Sequence, residues 1–517
     1  MTSTPRAVDR GALRACVLAL FSLHLDACSN PHFRSPLEGR VVDADTRAPI
    51  QGAVVLLETY AHCAKFMSGE TRNLPTEQAR TAQDGRFRIG RYMSFAPNCF
   101  ANGWGDELYV MAPGYSAEHL SHSTLPALDT HEFASPGLDL IELHRICYLG
   151  ELEAFRRDVA THEAIRRYMT SPGSQFRDTS NKILSGSVRV LDTPGVFVRD
   201  PESTFDQITT TRVEPSRLPQ LHKLVLAHDR RTGRVKAWTT RGEPVPVPLL
   251  AEPGWSIAGK QSFLDDRSYS LFLVRGEAIY YPARQDATPH WLDPDNWLRV
   301  PGQIGSVRAA AALLNQDVLI TVEGDGTKFG LYQHEKRPKP SAKSYAISNS
   351  VRPLRTVPVD EVLPGAKPPV ECMTEATDGS VLFFANTASG RTAYRLQAFT
   401  SWKAAPFAIP SAMLSGEVTA CVATHDWVYF AIRGEGIRRV SADPLVMHLQ
   451  AVWHNATTEA RVPGTFTGLA ISEFRSLWRT PHVLIYAVAD DGIVYRFLED
   501  GTPDQHVEVE PFANGTQ

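Results

Sequence analysis

The chain has 517 residues, long enough for two or three domains with full cores. Its net charge of −4, from 53 basic and 57 acidic residues with no Lys/Arg-rich tract, argues against nucleic acid as a partner. The 35 glycines and 36 prolines are spread along the sequence and predict many turns, hence many short strands.

At the start, Arg6, Arg10 and Arg14 precede an apolar run, Ala15 to Leu25, broken only by Ser22 and His24. A basic stretch followed by about 7–15 apolar residues reads as a secretory signal, and it is shorter than the ~20 residues that span a bilayer. Leu25-Asp26-Ala27-Cys28 resembles the lipobox of bacterial lipoproteins, although Asp26 departs from the small or apolar residue usual there. The resemblance implies a signal peptide over 1–27, lipidation of Cys28 as the first mature residue, and a tether over 28–35. Ser29 in place of Asp then favours the outer membrane, facing periplasm or surface, by the sorting rules of enteric lipoproteins. The rival reading is a soluble secreted protein with an incidental Cys28. No second apolar segment of spanning length occurs downstream.

Setting aside Cys16 and an acylated Cys28 leaves Cys63, Cys99, Cys147, Cys372 and Cys421, an odd number. Cys63 and Cys99 fall in two loop-like stretches of one small domain and are the candidate disulfide. No CxxC spacing occurs, so no zinc site is expected.

From Leu37, two β-prone runs, Val41-Val42 and Ala53–Leu57, flank "DADTRAPIQG", which has the composition of a turn. A hairpin "TAQDGRFRIGRY" and the string "ELYVMAPGYSAEHL" come next. This order resembles the carboxypeptidase regulatory-like, or transthyretin-like, domain over about residues 36–145. Gly39, Val41, Asp43, Pro49, Gly52, Ala53, Val55, Thr81, Asp84, Gly85, Phe87, Val110, Gly114 and Tyr115 carry the match, and an insert over 61–79 departs from it. The resemblance implies a prealbumin-like β-sandwich of seven strands, without catalytic residues, serving as a folding partner, spacer or docking module. Asp43 and Asp45 read as turn formers rather than a calcium pair. His119, His122 and His131 lie in a loop-like string without H-E-x-x-H spacing, so no metal site is expected.

Tyr148 to Met169 changes to a helical period, through Leu149, Leu152, Phe155, Val159 and Ile165, and stops at Pro172-Gly173. It is a connecting helix within a linker over 146–204; a partner-binding helix is the alternative. The string Ser185–Pro201 can lend a strand to the region C-terminal to it, or form a partial seventh unit there.

The second half repeats. Gly254, Gly302, Gly365, Gly416 and Gly464 recur at roughly 50-residue spacing, each before a short apolar run and a β-hairpin, and an earlier hairpin starts at Lys223. Four strands per ~50 residues is the mark of a β-propeller. Six units are expected over 205–253, 254–301, 302–364, 365–415, 416–463 and 464–512, within a domain over 205–517. The fold class is therefore all-β: a sandwich, a short helix and a six-bladed propeller. Cys372 and Cys421 occupy matching places in neighbouring units; two small buried residues is the preferred reading over a disulfide.

The usual signatures of chemistry are missing: no G-x-S-x-G, Walker A or EF-hand loop. "GDGTKFG" at 324–330 reads as a hairpin tip, and Asp378 and Asp426 as turn caps. "HWLDPDNW" gathers His290, Trp291, Asp293, Asp295 and Trp297, an aromatic and acidic set suited to a sugar; packing between units is the competing role. The preferred function is a non-catalytic, envelope-anchored lipoprotein that binds a protein partner through the propeller in a scaffold, assembly or immunity-type role, with no cofactor or metal. The rival is a propeller enzyme or binding protein acting on glycans or peptides at the axial channel, with His290, Asp293 and Asp295 as first suspects.

Overall fold

The structure is a computed structural model. It describes residues 32–34, 36–44, 46–64, 69–73, 77–90, 92–94, 101–121, 140–161, 188–191, 194–212, 223–260, 271–276, 278–282, 297–299, 307–313, 318–334, 351–376, 380–397, 403–407, 409, 414–424, 427–441, 465–475 and 481–509. The chain is nearly all-β. Among the described residues its helices are Leu149–Thr161, the four-residue Val359–Val362 and a 3-10 turn at Pro248–Ala251. No helix of the described residues is long and apolar enough to cross a membrane.

Towards the N-terminus, Leu37–Asp43 pairs with Arg86–Ile89 and Ile141–Leu143, and Val54–Ala64 is central to a second, five-stranded sheet. Leu37, Val41, Phe87, Ile89, Ile141 and Leu143 from the first sheet share one core with Val55, Leu57, Leu108 and Val110 from the second. The other face of the central strand is buried too. Val54 and Leu56 pack with Tyr109, Met111, Ile146, Leu152, Phe155 and Val507. Two buried faces account for a strand that reads as an unbroken apolar run instead of an alternating one.

The insert over 61–79 differs from a loop. Val54–Ala64 runs straight into it and pairs with Gly69–Asn73 and Glu77–Arg80, as well as with Ala101–Met111. The signal was an alternation easily overlooked in a polar stretch: Ala61 and Cys63 are buried while His62 is exposed. His119 likewise sits in a strand, Glu118–Ser121, rather than a loop; His122 and His131 lie outside the described residues. Asp43 is a structural hub. Its carboxylate accepts from Thr46 N at 2.9 Å, Tyr115 Oη at 2.9 Å and Arg145 Nε at 2.7 Å, which ties the turn to the A-P-G-Y string. Asp45 lies outside the described residues.

Six further sheets succeed these along the chain, each a meander. Their first strands are Phe205–Arg212, Trp255–Lys260, Val307–Leu313, Ala366–Glu375, Val418–Ala423 and Phe466–Arg475. Each of these packs against the first strand of the next sheet, and the sixth packs against the first, so the six inner strands form a continuous circuit although no single sheet closes on itself. Five sheets have four strands; the fifth has three among the described residues. The sixth takes its fourth strand, Val196–Val198, from upstream of the first, as the string 185–201 allowed. Val188–Val190 of the same string pairs instead with Val507–Val509.

Every strand pair in this region is antiparallel, and neighbouring sheets bury both faces. In the fourth sheet Val381 and Phe383 face the third sheet's core, while Leu382 and Phe384 face the fifth's. Each buried phenylalanine contributes about 1.5–3 kcal/mol relative to leaving it in water. The repeated glycine has a backbone reason: Gly254 and Gly365, immediately before inner strands, have φ of +92° and +78°, a left-handed conformation that side chains disfavour.

The helix Leu149–Thr161 joins the two regions. Its first turn is held by the C-terminal segment: Leu149 N donates to Gln505 O at 2.8 Å and Gly150 N to Asp504 Oδ1 at 2.9 Å. Beneath it Arg496, 0% exposed, contacts Asp504 at 2.7 Å and Glu151 at 3.3 Å, donates to Thr240 O at 2.7 Å and lies 3.5 Å from the centre of the Tyr148 ring. Burial opposes its charge, but Asp504, Tyr486, Glu151 and Tyr148 more than offset this and hold Arg496 protonated. The helix is described to Thr161; the rest of the expected span lies outside the described residues.

Candidate functional site at the inner strands

All six inner strands break register against their second strand: directly after the first pair in the first, third, fifth and sixth, at the fourth residue in the second, and twice in the fourth, at 368–369 and again just before Cys372. The residues skipped singly are Asp206, Ala258, Arg308, Glu371, Thr419 and Thr467. A β-bulge leaves one residue unpaired and re-aims its side chain. The repeat thus offers one variable position per sheet at one end of the inner circuit.

Several polar groups at or beside these bulges fasten neighbouring sheets. Gln207 Oε1 accepts from Ile257 N of the second sheet at 2.7 Å, and Thr419 Oγ1 donates to Phe466 O of the sixth. Thr210 Oγ1 donates to Ile471 O, linking the first sheet to the sixth. Between the fourth and fifth sheets the fastening is strongest. Glu371, 8% exposed, accepts from Arg391 Nε at 2.9 and 3.1 Å, from Asn386 Nδ2 at 2.9 Å and from Val418 N at 3.0 Å. One residue on, Cys372 forms a disulfide with Cys421, their Cα atoms 6.0 Å apart. This corrects the reading of two separate buried cysteines. The bulge after Val370 and the packing of the two adjacent inner strands bring the two sulfurs together, which spacing alone does not reveal.

The charged groups at this end divide into two sets. On the first sheet, His228 Nδ1 stands 2.6 Å from Asp206 Oδ1, both partly buried. Across the third to fifth sheets lie Arg308, Arg391 and Arg433 with Glu371 and Glu417. Arg433 Nε donates to Glu417 Oε2 at 2.7 Å, and that bond, with the fields of Arg433, Arg391 and Arg308, holds the Glu417 carboxyl below the usual carboxylate range. Arg308 Nη2 reaches Glu371 O at 3.4 Å. Beside them Arg438 contacts Glu435, which also accepts from Ser415 Oγ at 2.8 Å.

Chemically the acid groups here are engaged. Glu371 takes four donor contacts, and Glu417, held by a guanidinium, lies below the usual carboxylate range rather than near neutral pH. The His228–Asp206 contact is the arrangement at this end that could orient a base. Among the described residues no group of three or more metal-ligating side chains is clustered.

Of the candidate ligand residues singled out in the sequence, only Trp297 is described. Trp297 begins the fourth strand of the second sheet, paired with Pro282, the strand furthest from the inner circuit. His290, Trp291, Asp293 and Asp295 lie outside the described residues, as do Cys28 and Cys99. Cys63 is disulfide-bonded. Asp378 and Asp426 also lie outside, whereas 324–327 form a turn closed by Gly326 N to Glu323 O at 2.8 Å, as expected.

No family model matches the chain, and no curated protein matches it. Among solved structures it is similar to a protein of unknown function from Bacteroides thetaiotaomicron, with 11% identity over 87% of this chain and 90% of that one and a TM-score of 0.37. It is also similar to Sqt1 from Saccharomyces cerevisiae, with 8% identity over 60% and 99% and a TM-score of 0.32. A third is YCF48 from Cyanidioschyzon merolae, with 14% identity over 62% and 88% and a TM-score of 0.31. Likenesses this remote assign neither activity nor partner.

Proposed function

We propose that the chain is a non-catalytic cell-envelope protein, tethered through an acylated Cys28, whose six repeated sheets act as a six-bladed propeller that binds a protein partner. The N-terminal sheets serve in this reading as a transthyretin-like sandwich that spaces the propeller from the membrane. The observation that carries it is the inner end of the third to fifth sheets, where Glu371 and Glu417 are neutralised by arginines while Arg308 and Arg433 stay exposed. That is the make-up of a rigid, polar docking surface, which loses little entropy on binding. The Cys372–Cys421 disulfide and a bonded Cys63 support an oxidising compartment.

Two measurements test it. Mass spectrometry of the mature chain should find Cys28 at the N-terminus with a mass added for two or more acyl chains, since about 0.8 kcal/mol per buried CH₂ makes one chain a poor anchor. Size-exclusion chromatography of the detergent-solubilised envelope should show the chain in a complex larger than itself. An unmodified Cys28 on material that washes from membranes would refute the tether.

The second reading, an enzyme acting on glycans or peptides at the channel, is favoured by the His228–Asp206 contact. Turnover of envelope polysaccharide or peptide by the purified chain, abolished in His228→Ala, would replace the first reading with this one.

A further inference from the structure

The third sheet's bulge residue stands apart from the others. Glu371 is saturated by four contacts, Thr419 is bonded to Phe466 O, and Asp206 is matched by His228. Arg308 is exposed, and its one hydrogen bond is the long contact of Nη2 to Glu371 O at 3.4 Å. Among the described residues no carboxylate takes its guanidinium: Glu371 is filled by Arg391, Glu417 by Arg433 and Glu435 by Arg438. Each of these three carboxylates already holds a guanidinium, and Arg308 is a fourth beside them. Lys367, also exposed, adds a further positive charge, because its partner across the strands is Asn386, whose amide holds Glu371.

We propose that Arg308, with Lys367 and Arg433 on the next two sheets, receives the carboxylates of an acidic segment of the protein partner. The proposal rests on the binding reading above and names the chemistry of that site. A guanidinium offers a planar fork of five donors that matches a carboxylate, and Arg308 has nearly all of its donors free for one. A single exposed ion pair contributes little, so an isolated anion would hold weakly. Several cationic side chains on adjacent sheets suit a chain of acids, whose contacts add without each paying anew for association. The depressed carboxyl of Glu417 points the same way, since it registers Arg433, Arg391 and Arg308 together around one spot. The bulge holds Arg308 in place by backbone geometry, so the site exists before the partner arrives.

The test is a fluorescence-anisotropy titration of the full chain with fluorescein-labelled hexaglutamate at about 50 mM salt, where screening is modest. The wild type should bind hexaglutamate and not hexaglutamine, and Arg308→Glu should weaken binding at least tenfold. Arg355→Gln removes a charge from the third sheet's outermost strand, where Arg355 pairs with Glu361, and should leave affinity within twofold. Arg308→Gln, which introduces no negative charge, should weaken binding about threefold or more and serves if the Glu variant folds poorly. Equal affinity in wild type and both Arg308 variants would overturn the proposal. So would displacement by inorganic pyrophosphate as readily as by hexaglutamate, which would mark a phosphate site. The two readings separate cleanly. A partner complex that survives Arg308→Glu sinks this inference alone, while Arg308-dependent hexaglutamate binding without any partner complex sinks the function proposed above and leaves the site.

Discussion

Arg496 and Arg308 are the same residue in opposite surroundings. Arg496 is 0% exposed, roofed by Tyr148 and flanked by Asp504 and Glu151, and it pins the connecting helix and the C-terminal segment to the sixth sheet. Arg308 faces water from a bulge with one long bond to a carbonyl. A buried guanidinium surrounded by its own chain is fully spent on holding the fold. An exposed one that neighbouring carboxylates leave unmatched retains the capacity to bind something else. Burial and matching, rather than the presence of charge, separate architecture from a candidate site.

The largest effect should come from breaking the buried member. Arg496→Leu leaves Asp504 and Glu151 without their cation and should cost about 3–5 kcal/mol in a chemical denaturation series. It should also expose the helix Leu149–Thr161 to protease. A loss below about 1 kcal/mol would mean that the junction is held by the apolar contacts of Leu152 and Phe155 alone. Next in size is the link between the fourth and fifth sheets. Cys372 and Cys421 are 49 residues apart, and removing the disulfide as a Cys→Ala pair should cost about 2–4 kcal/mol.

Glu118 supplies a third kind of charge, half-buried and, among the described residues, without a matching cation. It lies opposite Val110 in the N-terminal core, and burial pushes its carboxyl up to about 7. Below about pH 4 the group is protonated whether the chain is folded or not. As pH rises from about 4.5 towards 7, the unfolded chain releases this proton first, so the fold loses stability across that window and no further above it. Glu118→Gln should remove that dependence and stabilise the protein by about 1–3 kcal/mol at pH 8, measured by denaturation at pH 5 and pH 8. A variant with an unchanged pH profile would show that Glu118 is solvated. The smallest effect belongs to the exposed arginine. Arg308→Glu should change stability by no more than about 0.5 kcal/mol, a contrast with Arg496→Leu that sharpens the division between the two.

Much of the architecture was legible. The glycine spacing and the β-prone hairpins placed the repeated sheets, and 185–201 reads as a stretch able to lend a strand or form a partial seventh unit; Val196–Val198 joins the sixth sheet. Asp43 was legible as a turn former, though its bonds to Tyr115 and Arg145 join residues about 70 and 100 positions away, beyond any local pattern. The strands in the insert were hidden because Gly69–Asn73 and Glu77–Arg80 are almost wholly polar, and the end of the central strand that they pair with alternates instead of running apolar. The inner-end charges were missed for another reason. A search for catalytic strings looks for neighbours in sequence, whereas Arg308, Glu371 and Glu417 meet only because the first strands of successive sheets pack against one another. A signal did exist: Val307-Arg308-Ala309, Val370-Glu371-Cys372, Val418-Thr419-Ala420 and Phe466-Thr467-Gly468 share an apolar residue, a variable polar one and a small one. Aligning the repeats on that triplet identifies the bulge and the residue it presents. The disulfide emerges from the same alignment, because Cys372 comes just after the fourth sheet's bulge residue and Cys421 two after the fifth's.

The most direct measurement is chemical crosslinking of the anchored protein in its own envelope, comparing wild type with an Arg308→Glu, Arg433→Glu double variant at matched abundance. Binding at the inner end predicts one dominant partner crosslinked to the wild type and lost from the variant, with both chains folded. An identical crosslinking pattern from the two, or no partner at all from wild type together with His228-dependent turnover of envelope polymer, would contradict it.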